Sequence, residues 1–333
     1  MEETIKKLLT PGKGILAADE SFPTIEKRFA EFKIDSTEES RRAYRQMLLA
    51  TPNLEQYISG VILFDETIKQ KTDDGVFFPD YLNQRGIVPG IKIDQGTIDF
   101  GGHPGEKITQ GLEGLIERLV EYKGLGARFT KFRSVITIGE GLPTQDCLKV
   151  NADILAQFAK GSQSQDLVPI VEPEVVMDGD HGIEVCQEAT TRTLKIVFAA
   201  LKSFGVDIAQ LLLKINMVLP GSNSHQAVNS GTISKSTLTA LRTAVPKEVP
   251  GVVFLSGGQS PAEACENLNE IKRSGVHPWE ISFSYARALQ APALAIWRGR
   301  AENVNKAQNE FLKRAKLASL AREGEYKTEM EEA

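Results

Sequence analysis

The apolar residues of this 333-residue chain cluster in short runs of strand length, and most of the runs are bounded by Gly or Pro. Eight such runs cover residues 14–19, 60–64, 88–94, 129–138, 168–176, 211–218, 252–256 and 281–285. Most positions within each run are apolar, without the alternation of a strand that has one wet face, and this is typical of strands buried on both faces. The pattern therefore predicts eight buried strands.

Stretches with helical periodicity lie between the runs. Leu194, Val197, Phe198 and Leu201 have the i, i+3, i+4, i+7 spacing of one helix face. Further helices are predicted at residues 41–50, 111–124, 145–159 and 262–274. A charged helix is predicted from residue 301 to about residue 322.

Strands that alternate with helices predict a parallel sheet covered by helices, and eight such repeats that close on themselves form a (β/α)8, or TIM, barrel. An open doubly wound sheet is the alternative, but no GxGxxG or Walker-type loop supports it. The expected fold class is therefore α/β, with one barrel domain at residues 1–322 that includes the C-terminal helix. The short acidic tail, residues 323–333, is expected to be mobile.

Lys214 lies in the middle of the apolar run at residues 211–218. Burial disfavours the ammonium form and lowers the pKa of a fully buried lysine by roughly 3–5 units. A neutral amine held in this way is a nucleophile for a carbonyl carbon, with which it forms a Schiff base. The alternative is a lysine of an edge strand whose ammonium group reaches solvent.

Other polar residues lie within or at the ends of the predicted strands, namely Asp19, Lys92, Asp94, Lys131, Arg133, Glu172, Glu174, Ser256 and Arg287. Several are spaced i, i+2, and because side chains alternate along a strand, both members of such a pair face the same way. One pair alone is typical of a solvated strand face. The recurrence of the pattern in several strands instead predicts one charged site at the carboxyl ends of the barrel strands, where the active sites of TIM barrels lie.

Acids and bases that are packed together shift each other's pKa values apart, as acid–base chemistry requires. We expect Lys131 to lower the pKa of Lys214 further by repulsion between like charges. Glu172 or Glu174 is expected to move protons at the reacting centre.

The sequence SGGQSP after the seventh predicted strand predicts a phosphate site. It offers the amides of Gly257 and Gly258 and then the start of a helix, and N–H groups at a helix N-terminus bind anions. Loops after the seventh and eighth barrel strands often hold phosphate, and Arg287 follows the eighth. Lys27 and Arg28 form a basic pair shortly after the first strand, for which a solvated helix face is the alternative interpretation.

Charge and composition argue against several classes of protein. The net charge of -5 and the pI of about 5.6 argue against a partner that is nucleic acid or an anionic membrane. No apolar run approaches the roughly 18 residues that span a bilayer. Three scattered cysteines fit a reducing compartment, and no signal-peptide core is seen, so a cytoplasmic location is expected. The histidines lack the spacing of metal ligands, so we expect no metal and no cofactor.

Several long strings of residues resemble class I, Schiff-base-forming fructose-1,6-bisphosphate aldolases of the animal and plant type. They are GVILFDET, GIKID, TKFR, PIVEPE, LLLKINMV, FLSGGQS and FSYARALQ, and the resemblance extends from Pro11 to about Tyr326. It implies a (β/α)8 barrel that reversibly cleaves fructose 1,6-bisphosphate to dihydroxyacetone phosphate and glyceraldehyde 3-phosphate in glycolysis and gluconeogenesis. It also implies a sugar bisphosphate as the small-molecule partner, independence of metal, and a homo-oligomer, by the family's habit a tetramer.

The resemblance also implies a role for each charged residue of the predicted site. Lys214 resembles the lysine that forms an imine with the C2 ketone of the sugar. Glu172 resembles the family's proton shuttle for imine formation and for the C4 hydroxyl, and Glu174 lies beside it. Asp19 resembles the aspartate that binds the C4 hydroxyl during cleavage of the C3–C4 bond. The lysine and the arginine near the nucleophile are matched by Lys131 and Arg133.

Two groups of residues resemble the family's phosphate contacts. Those to the C1 phosphate are matched by Ser256, Gly257, Ser284 and Arg287, with the backbone of Gly258 and Ala286 adjoining them. Those to the C6 phosphate are matched by Ser21, Thr24 and Lys92. Arg28, with Lys27 beside it, resembles a basic residue that closes over bound substrate.

Three features depart from the family's pattern. Ile215 stands where the family has proline, directly after the Schiff-base position. Ala286 stands where the family usually has glycine, so the added methyl group is expected to crowd a phosphate. The animal enzymes end in a flexible tail with a terminal tyrosine that helps to move the C3 proton, whereas the last tyrosine of this sequence is Tyr326.

Two other functions compete with this hypothesis. One is a Schiff-base aldolase or a transaldolase-like enzyme that acts on another phosphorylated ketose. The other is a non-catalytic barrel that serves as a protein-binding scaffold. The joint presence of Lys214, Glu172, Asp19 and Lys131 favours an enzyme over a scaffold.

Overall fold

A closed barrel of parallel strands forms the centre of the molecule, in a computed structural model that describes residues 1–332. The strands are β1 (Gly14–Ala18), β2 (Ile58–Leu63), β3 (Val88–Lys92), β4 (Thr97–Asp99), β5 (Lys107–Thr109), β6 (Phe129–Ile136), β7 (Val168–Val175), β8 (Leu212–Ile215), β9 (Gly251–Phe254) and β10 (Glu280–Tyr285). Eight of them close the barrel in the order β1-β10-β9-β8-β7-β6-β3-β2, and β4 and β5 form a separate antiparallel hairpin. The (β/α)8 prediction is therefore confirmed, and the open doubly wound sheet is excluded.

Helices surround the barrel and cover the outer side of its strands. They are α1 (Glu2–Leu8), α2 (Phe22–Ala30), α3 (Glu38–Leu49), α4 (Asp65–Ile68), α5 (Phe78–Gln84), α6 (Leu115–Gly124), α7 (Gln145–Ser164), α8 (Ile183–Ser203), α9 (Ser230–Ala244), α10 (Pro261–Arg273), α11 (Arg287–Trp297) and α12 (Val304–Glu323). Short 3-10 turns occur at Leu54–Gln56, Ile208–Gln210, Ala301–Asn303 and Thr328–Glu331. None of the helices in residues 1–332 has both the length and the apolar character needed to cross a bilayer.

The side chains of the barrel strands alternate between two apolar clusters, which explains why the strands show no polar alternation. In β1, Ile15 and Ala17 belong to the cluster inside the barrel, whereas Leu16 and Ala18 pack outward against the helices. Leu8 of α1 joins the inner cluster. Both faces of each strand are therefore dry, as expected for a parallel barrel.

Charged residues follow apolar residues along the inward-facing rows of the strands. In β8, Leu212 belongs to the inner cluster and Lys214 is the next residue on the same side. In β7, Ile170 belongs to the inner cluster and Glu172 comes next. The barrel therefore has an apolar interior at the start of its strands and a charged layer at their carboxyl ends.

The hairpin of β4 and β5 was not predicted from the sequence. It is inserted between β3 and β6, and its strands pair antiparallel from Thr97–Thr109 to Asp99–Lys107. Each strand has only three residues and is largely exposed, so no apolar run marks either of them.

Arg322 joins the end of α12 to the segment between α1 and β1. Its side chain is buried, and its guanidinium donates to the carbonyl oxygens of Leu9 at 2.7 Å, Thr10 at 2.5 Å and Lys13. Burial lowers the pKa of this guanidinium from its usual value. The C-terminal helix is therefore attached to the N-terminal end of the barrel domain.

The described part of the C-terminal tail packs against α10 and α12. Tyr326 is buried, its amide donates to Oδ1 of Asn269 at 3.0 Å, and its hydroxyl donates to Oε1 of Glu331 at 2.9 Å. Glu331 also forms an ion pair with the buried Arg314. The acidic composition of the tail predicts mobility, but it does not reveal these long-range partners. Ala333 lies outside the described residues.

Candidate active site

A cleft of about 630 Å³ opens among the carboxyl ends of the barrel strands and the loops that follow them. The residues predicted to form a site that line this cleft are Asp19, Ser21, Thr24, Lys27, Arg28, Lys92, Lys131, Arg133, Glu172, Glu174, Lys214, Ser256, Gly257, Ser284, Ala286 and Arg287. Gly258 does not line it. These residues come from distant parts of the sequence, and the closure of the barrel brings them together.

Lys214 and Glu172 form a buried pair at the ends of adjacent strands. Nζ of Lys214 lies 3.1 Å from Oε1 of Glu172, and both side chains are at most 5% exposed. The lysine is not on an edge strand and does not reach solvent, which excludes the alternative of a snorkelling side chain. The carboxylate is within the distance at which it can accept a proton from the lysine.

Lys131 lies among three carboxylates. Its Nζ is 2.7 Å from Oδ2 of Asp19, 3.5 Å from Oδ2 of Asp94 and 3.5 Å from Oε2 of Glu172. Burial by itself lowers the pKa of Lys131, but the charges of Asp19, Asp94 and Glu172 outweigh burial and raise it well above its usual range. Lys131 is therefore a fixed cation in the charged layer.

The same interactions keep two aspartates ionised. Burial raises the pKa of Asp19, but Lys131 and Lys214 outweigh it and hold this pKa well below its usual range. Burial also raises the pKa of Asp94, but Lys131 and Lys92 outweigh burial, so the pKa of this carboxyl is lowered. Asp94 Oδ1 lies 2.8 Å from Nζ of Lys92. The sequence pattern includes Asp94 among the charged residues but gives it no role. The structure shows that it lines the cleft.

Arg133 and Glu174 extend the charged layer toward the mouth of the cleft. Nε of Arg133 donates to Oε2 of Glu174. Burial alone lowers the pKa of this guanidinium, but Glu174 and Glu172 outweigh it and raise the pKa. Glu174 thus has a charged partner of its own, whereas Glu172 faces the two lysines, Lys131 and Lys214. Of the two glutamates, Glu172 is the one placed to exchange protons with Lys214.

The end of β10 and the loop after β9 supply polar groups suited to a phosphate. Ser284 is 1% exposed, and its hydroxyl lines the cleft without a hydrogen-bond partner among residues 1–332. Ser256 is also buried, and its hydroxyl accepts from the amide of Ala288 at 3.4 Å. A buried hydroxyl without a partner is costly unless a ligand supplies one, so the position of Ser284 favours a ligand with hydrogen-bonding groups. Arg287 follows as the first residue of α11.

Gly258 and Ala286 lie beside these polar groups and differ in their backbone conformation. Gly258 has φ +74°, and a Cβ there would meet Sδ of Met177 at 2.3 Å. It therefore shapes the loop rather than lining the cleft. Ala286 has φ -106°, which any residue adopts, and its side chain packs against the apolar cluster inside the barrel. Its φ therefore lies outside the left-handed region that favours glycine, and crowding of a phosphate by the methyl group stays a prediction.

Helix α2 places a second set of polar residues along the cleft. Ser21 is its N-cap residue, and the Ser21 Oγ to Thr24 Oγ1 distance is 3.2 Å. Lys27 and Arg28 lie in its last turn. Lys27 is exposed and Arg28 is half-buried, but both line the cleft, so the helix face that carries them is not simply solvated.

Some cleft residues had no strong signal in the sequence. Glu20 lines the cleft, although it directly follows Asp19 and strand alternation would turn it away. Gly96 and Thr97 belong to the hairpin segment that was not predicted. Within residues 1–332, no group of His, Cys, Asp and Glu has the arrangement needed to hold a metal ion.

Comparisons with known proteins agree with this geometry. The family model described as fructose-bisphosphate aldolase class-I matches residues 1–333. A probable fructose-bisphosphate aldolase class 1 of Xanthomonas campestris pv. campestris is 49% identical over 328 residues, which are 98% of either chain. The cytosolic fructose-bisphosphate aldolase 4 of Arabidopsis thaliana is 50% identical over 319 residues, 96% of this chain and 81% of the relative.

A solved structure is also similar. Fructose-bisphosphate aldolase from Plasmodium falciparum, in complex with TRAP and a small-molecule inhibitor, has a TM-score of 0.96 and 48% identity, over 98% of this chain and 94% of that one. Sequence, fold and cleft thus lead to the same conclusion. The chain belongs to the class I fructose-bisphosphate aldolase family.

Proposed function

We propose that Lys214 is the nucleophile of this enzyme in the reversible cleavage of fructose 1,6-bisphosphate to dihydroxyacetone phosphate and glyceraldehyde 3-phosphate. The observation that carries the proposal is the buried contact of 3.1 Å between Nζ of Lys214 and Oε1 of Glu172 in the wall of the cleft. A lysine with a carboxylate at hydrogen-bond distance has the partner it needs to lose and regain a proton.

Imine formation begins when Glu172 takes a proton from the ammonium group of Lys214. The neutral amine then attacks C2 of the sugar, and a bond forms between Nζ and C2. A proton moves from Nζ to the C2 oxygen, which becomes a hydroxyl. Glu172 then returns its proton to this hydroxyl, which leaves as water, and a protonated imine remains. This imine withdraws electrons from the C3–C4 bond.

Cleavage requires the loss of the C4 hydroxyl proton. Glu172, again a carboxylate, accepts it, and Asp19 orients the hydroxyl. The electron pair of the C3–C4 bond moves into the imine, glyceraldehyde 3-phosphate leaves as the aldehyde, and an enamine remains on Lys214. Protonation at C3 and addition of water then release dihydroxyacetone phosphate and restore the lysine.

Lys131 contributes as a fixed positive charge between two of the acids. It contacts both Asp19 and Glu172, so it holds their carboxylates in place while protons move. Arg133 does the same for Glu174. Charges that are fixed before the substrate arrives stabilise charge that develops during the reaction without further reorganisation.

Two sets of groups bind the phosphates. Ser256, Gly257, Ser284 and Arg287, with the backbone at Ala286, hold the C1 phosphate, and Gly258 shapes the loop that carries Gly257. Ser21, Thr24 and Lys92 hold the C6 phosphate, and Lys27 and Arg28 approach from α2. Two anchored phosphates fix the position of C2 relative to Lys214, which lowers the barrier by orientation.

Borohydride reduction tests the nucleophile directly. With dihydroxyacetone phosphate present, borohydride should inactivate the enzyme and add the reduced ligand to Lys214, as located by peptide mass spectrometry. Lys214→Met should give no adduct and no cleavage. Lys149→Met, which removes an exposed lysine paired with Asp153, is the matched control and should behave like wild type. Inactivation without the ligand, or an active Lys214→Met variant, would contradict the mechanism.

Substrate comparison tests the alternatives. The cleavage rate of fructose 1,6-bisphosphate should exceed that of fructose 1-phosphate, because only the former carries the C6 phosphate. Transfer of a dihydroxyacetone group between sugars at a higher rate than cleavage would instead favour a transaldolase-like enzyme. A folded protein without either activity would favour a scaffold.

We also propose a cytoplasmic homotetramer. Support comes from the family's habit, from the cytosolic relative, and from exposed apolar side chains at Ile116 and Val120 of α6 and at Phe204 after α8. Light scattering of the purified protein should give four times the chain mass of 36.5 kDa. A monomer mass would overturn the assembly without affecting the proposed mechanism.

A further inference from the structure

Glu20 is a buried acid of the cleft to which the proposed mechanism gives no role. It follows Asp19 directly, is 7% exposed, and lines the cleft. Its two carboxylate oxygens face two different arginines. Oε1 accepts from Nη1 of Arg28, and Oε2 lies 2.7 Å from Nη2 of Arg45. Glu20 therefore links α2 to α3 at the end of β1.

Arg45 is the immobile member of this trio. Its side chain is 4% exposed, and its guanidinium lies 5.6 Å from the ring centroid of Tyr44. Tyr44 is itself fixed, since its hydroxyl donates to Gln290, whose amide donates to the carbonyl oxygen of Ala17 in β1. Arg45 is therefore a buried cation attached to the barrel wall, and Glu20 is its counter-ion.

Arg28 is the member that faces the ligand. Its side chain is 19% exposed, compared with 4% for each of the other two, and it lines the cleft from the last turn of α2. The trio contains one negative and two positive charges, so the pair with Glu20 does not cancel the positive charge at the cleft. Burial raises the pKa of Glu20, but Arg45 and Arg28 outweigh it and lower this pKa, so the acid stays ionised.

We propose that Glu20 is a positioning residue that holds the guanidinium of Arg28 over the phosphate-binding part of the cleft, with Arg45 as the buried charge that fixes Glu20 itself. This inference rests on the proposed function for the role of Arg28. A long arginine side chain that is held in one orientation before binding loses less freedom when a phosphate arrives. Glu20 thus acts through Arg28 and does not touch the reacting carbons.

The variant Glu20→Gln keeps the size of the side chain but removes the negative charge that attracts both arginines, and one end of its amide is a donor that would face a guanidinium. We expect the KM for fructose 1,6-bisphosphate to rise roughly 3- to 10-fold, as for the loss of one ordered long side chain. The value of kcat should stay within about 2-fold, because binding is weakened equally in ground and transition states. Glu26→Gln is the matched control, since Glu26 is an exposed acid on the same helix and does not line the cleft.

A double-mutant cycle separates positioning from a merely structural role. If Glu20 acts through Arg28, then Glu20→Gln should raise KM less than about 2-fold in an Arg28→Ala background. An equal rise in both backgrounds would overturn the proposal. So would a fall in kcat with an unchanged KM.

Two further results keep the test decisive. If Glu20→Gln does not fold, the cycle is repeated with Glu20→Asp, which keeps the charge but shortens the reach to Arg28. Failure of both variants to fold would make the trio a structural element and would overturn the proposal. Borohydride trapping at Lys214 in the wild type separates failure of the proposed function from failure of the role of Glu20. If trapping succeeds but the effects of the Glu20 and Arg28 variants simply add, only the role of Glu20 is refuted.

Discussion

Replacement of Lys131 by methionine tests the electrostatic balance of the charged layer. Methionine has a similar length but no charge, so the variant leaves Asp19, Asp94 and Glu172 facing the space that the ammonium group occupied. In the wild type these three carboxylates lie 2.7 to 3.5 Å from Nζ of Lys131. Their side chains are at most 11% exposed, so removal of the ammonium group leaves three negative charges close together with little contact with solvent.

The size of the effect follows from these distances. At 2.7 Å and an effective dielectric constant of about 20, the attraction between Lys131 and Asp19 alone is roughly 6 kcal/mol. The desolvation of the buried ammonium group offsets much of this attraction. Removal of one partner from a buried ion pair costs about 3–5 kcal/mol, because it leaves uncompensated charge. We therefore expect Lys131→Met to lower the free energy of unfolding by about 3–5 kcal/mol near pH 7.

The loss should depend on pH in a defined direction. The pKa values of Asp19 and Asp94 are lowered in the folded protein, so their contribution to stability is fully present above the unfolded value of about 3.9 and is lost as the pH falls. The pKa of Lys131 is raised, so its contribution is present below about 10.4 and is lost as the pH rises further. The difference between variant and wild type should therefore be largest between about pH 5 and pH 10, and it should shrink below about pH 4.

Urea unfolding, followed by circular dichroism at pH 7.5, 5.5 and about 3.0, measures this difference, because only the last value lies below the unfolded pKa of about 3.9. Lys149→Met is the control, because Lys149 is 69% exposed and its pair with Asp153 is worth at most about 1 kcal/mol. A Lys131→Met variant as stable as this control would refute the reasoning. A constant loss at all three pH values would also refute it, since that outcome would assign the effect to packing.

Three further predictions concern other parts of the chain. Arg322→Met should lower the free energy of unfolding by about 2–4 kcal/mol, because it leaves buried backbone carbonyls without a donor, while kcat/KM at 25 °C stays within about 2-fold. Truncation after Glu323 should lower the free energy of unfolding by about 2–4 kcal/mol, measured by thermal unfolding, because Arg314 loses its partner Glu331. The rate of proton exchange at C3 of dihydroxyacetone phosphate should change only modestly. A collapse of that exchange would show that the tail takes part in catalysis. Gly258→Ala should raise the KM for fructose 1,6-bisphosphate several-fold with little change in kcat. The reason is that φ +74° strains a residue with a Cβ by roughly 1–2 kcal/mol, so the loop that Gly258 shapes would shift. An unchanged KM would contradict this role for the loop.

Much of the charged layer could be predicted because strands have a strict period of two. Once residues 129–136 are taken as a strand with Phe129 inside the barrel, Lys131 and Arg133 must face the same way. The same reasoning places Lys214 two residues after Leu212. The closure of the barrel then brings all of these rows to one end, without any knowledge of individual contacts.

Other features could not be predicted because they depend on pairs far apart in the chain. The burial of Glu20 depends on Arg45 in another helix, and its place next to Asp19 gives no sign of this partner. The packing of the tail depends on Arg314 and Asn269, whereas the acidic sequence after residue 323 has the composition of a mobile end. Alternation along a strand says nothing about such contacts, since they are made by loops and helix termini.

The two oxygens of Glu172 show why a pair of lysines serves the chemistry better than one. Oε1 faces Lys214 at 3.1 Å, and Oε2 faces Lys131 at 3.5 Å. In the proposed mechanism, a proton that passes from Lys214 to Oε1 leaves Oε2 near the charge of Lys131, which favours one orientation of the carboxyl group. Repulsion of a second cation by Lys131 stays a prediction, and the structure adds three carboxylates around its ammonium group. Its position supports a second task within the proposed mechanism, which is to keep Glu172 aligned with the amine of Lys214 through each transfer.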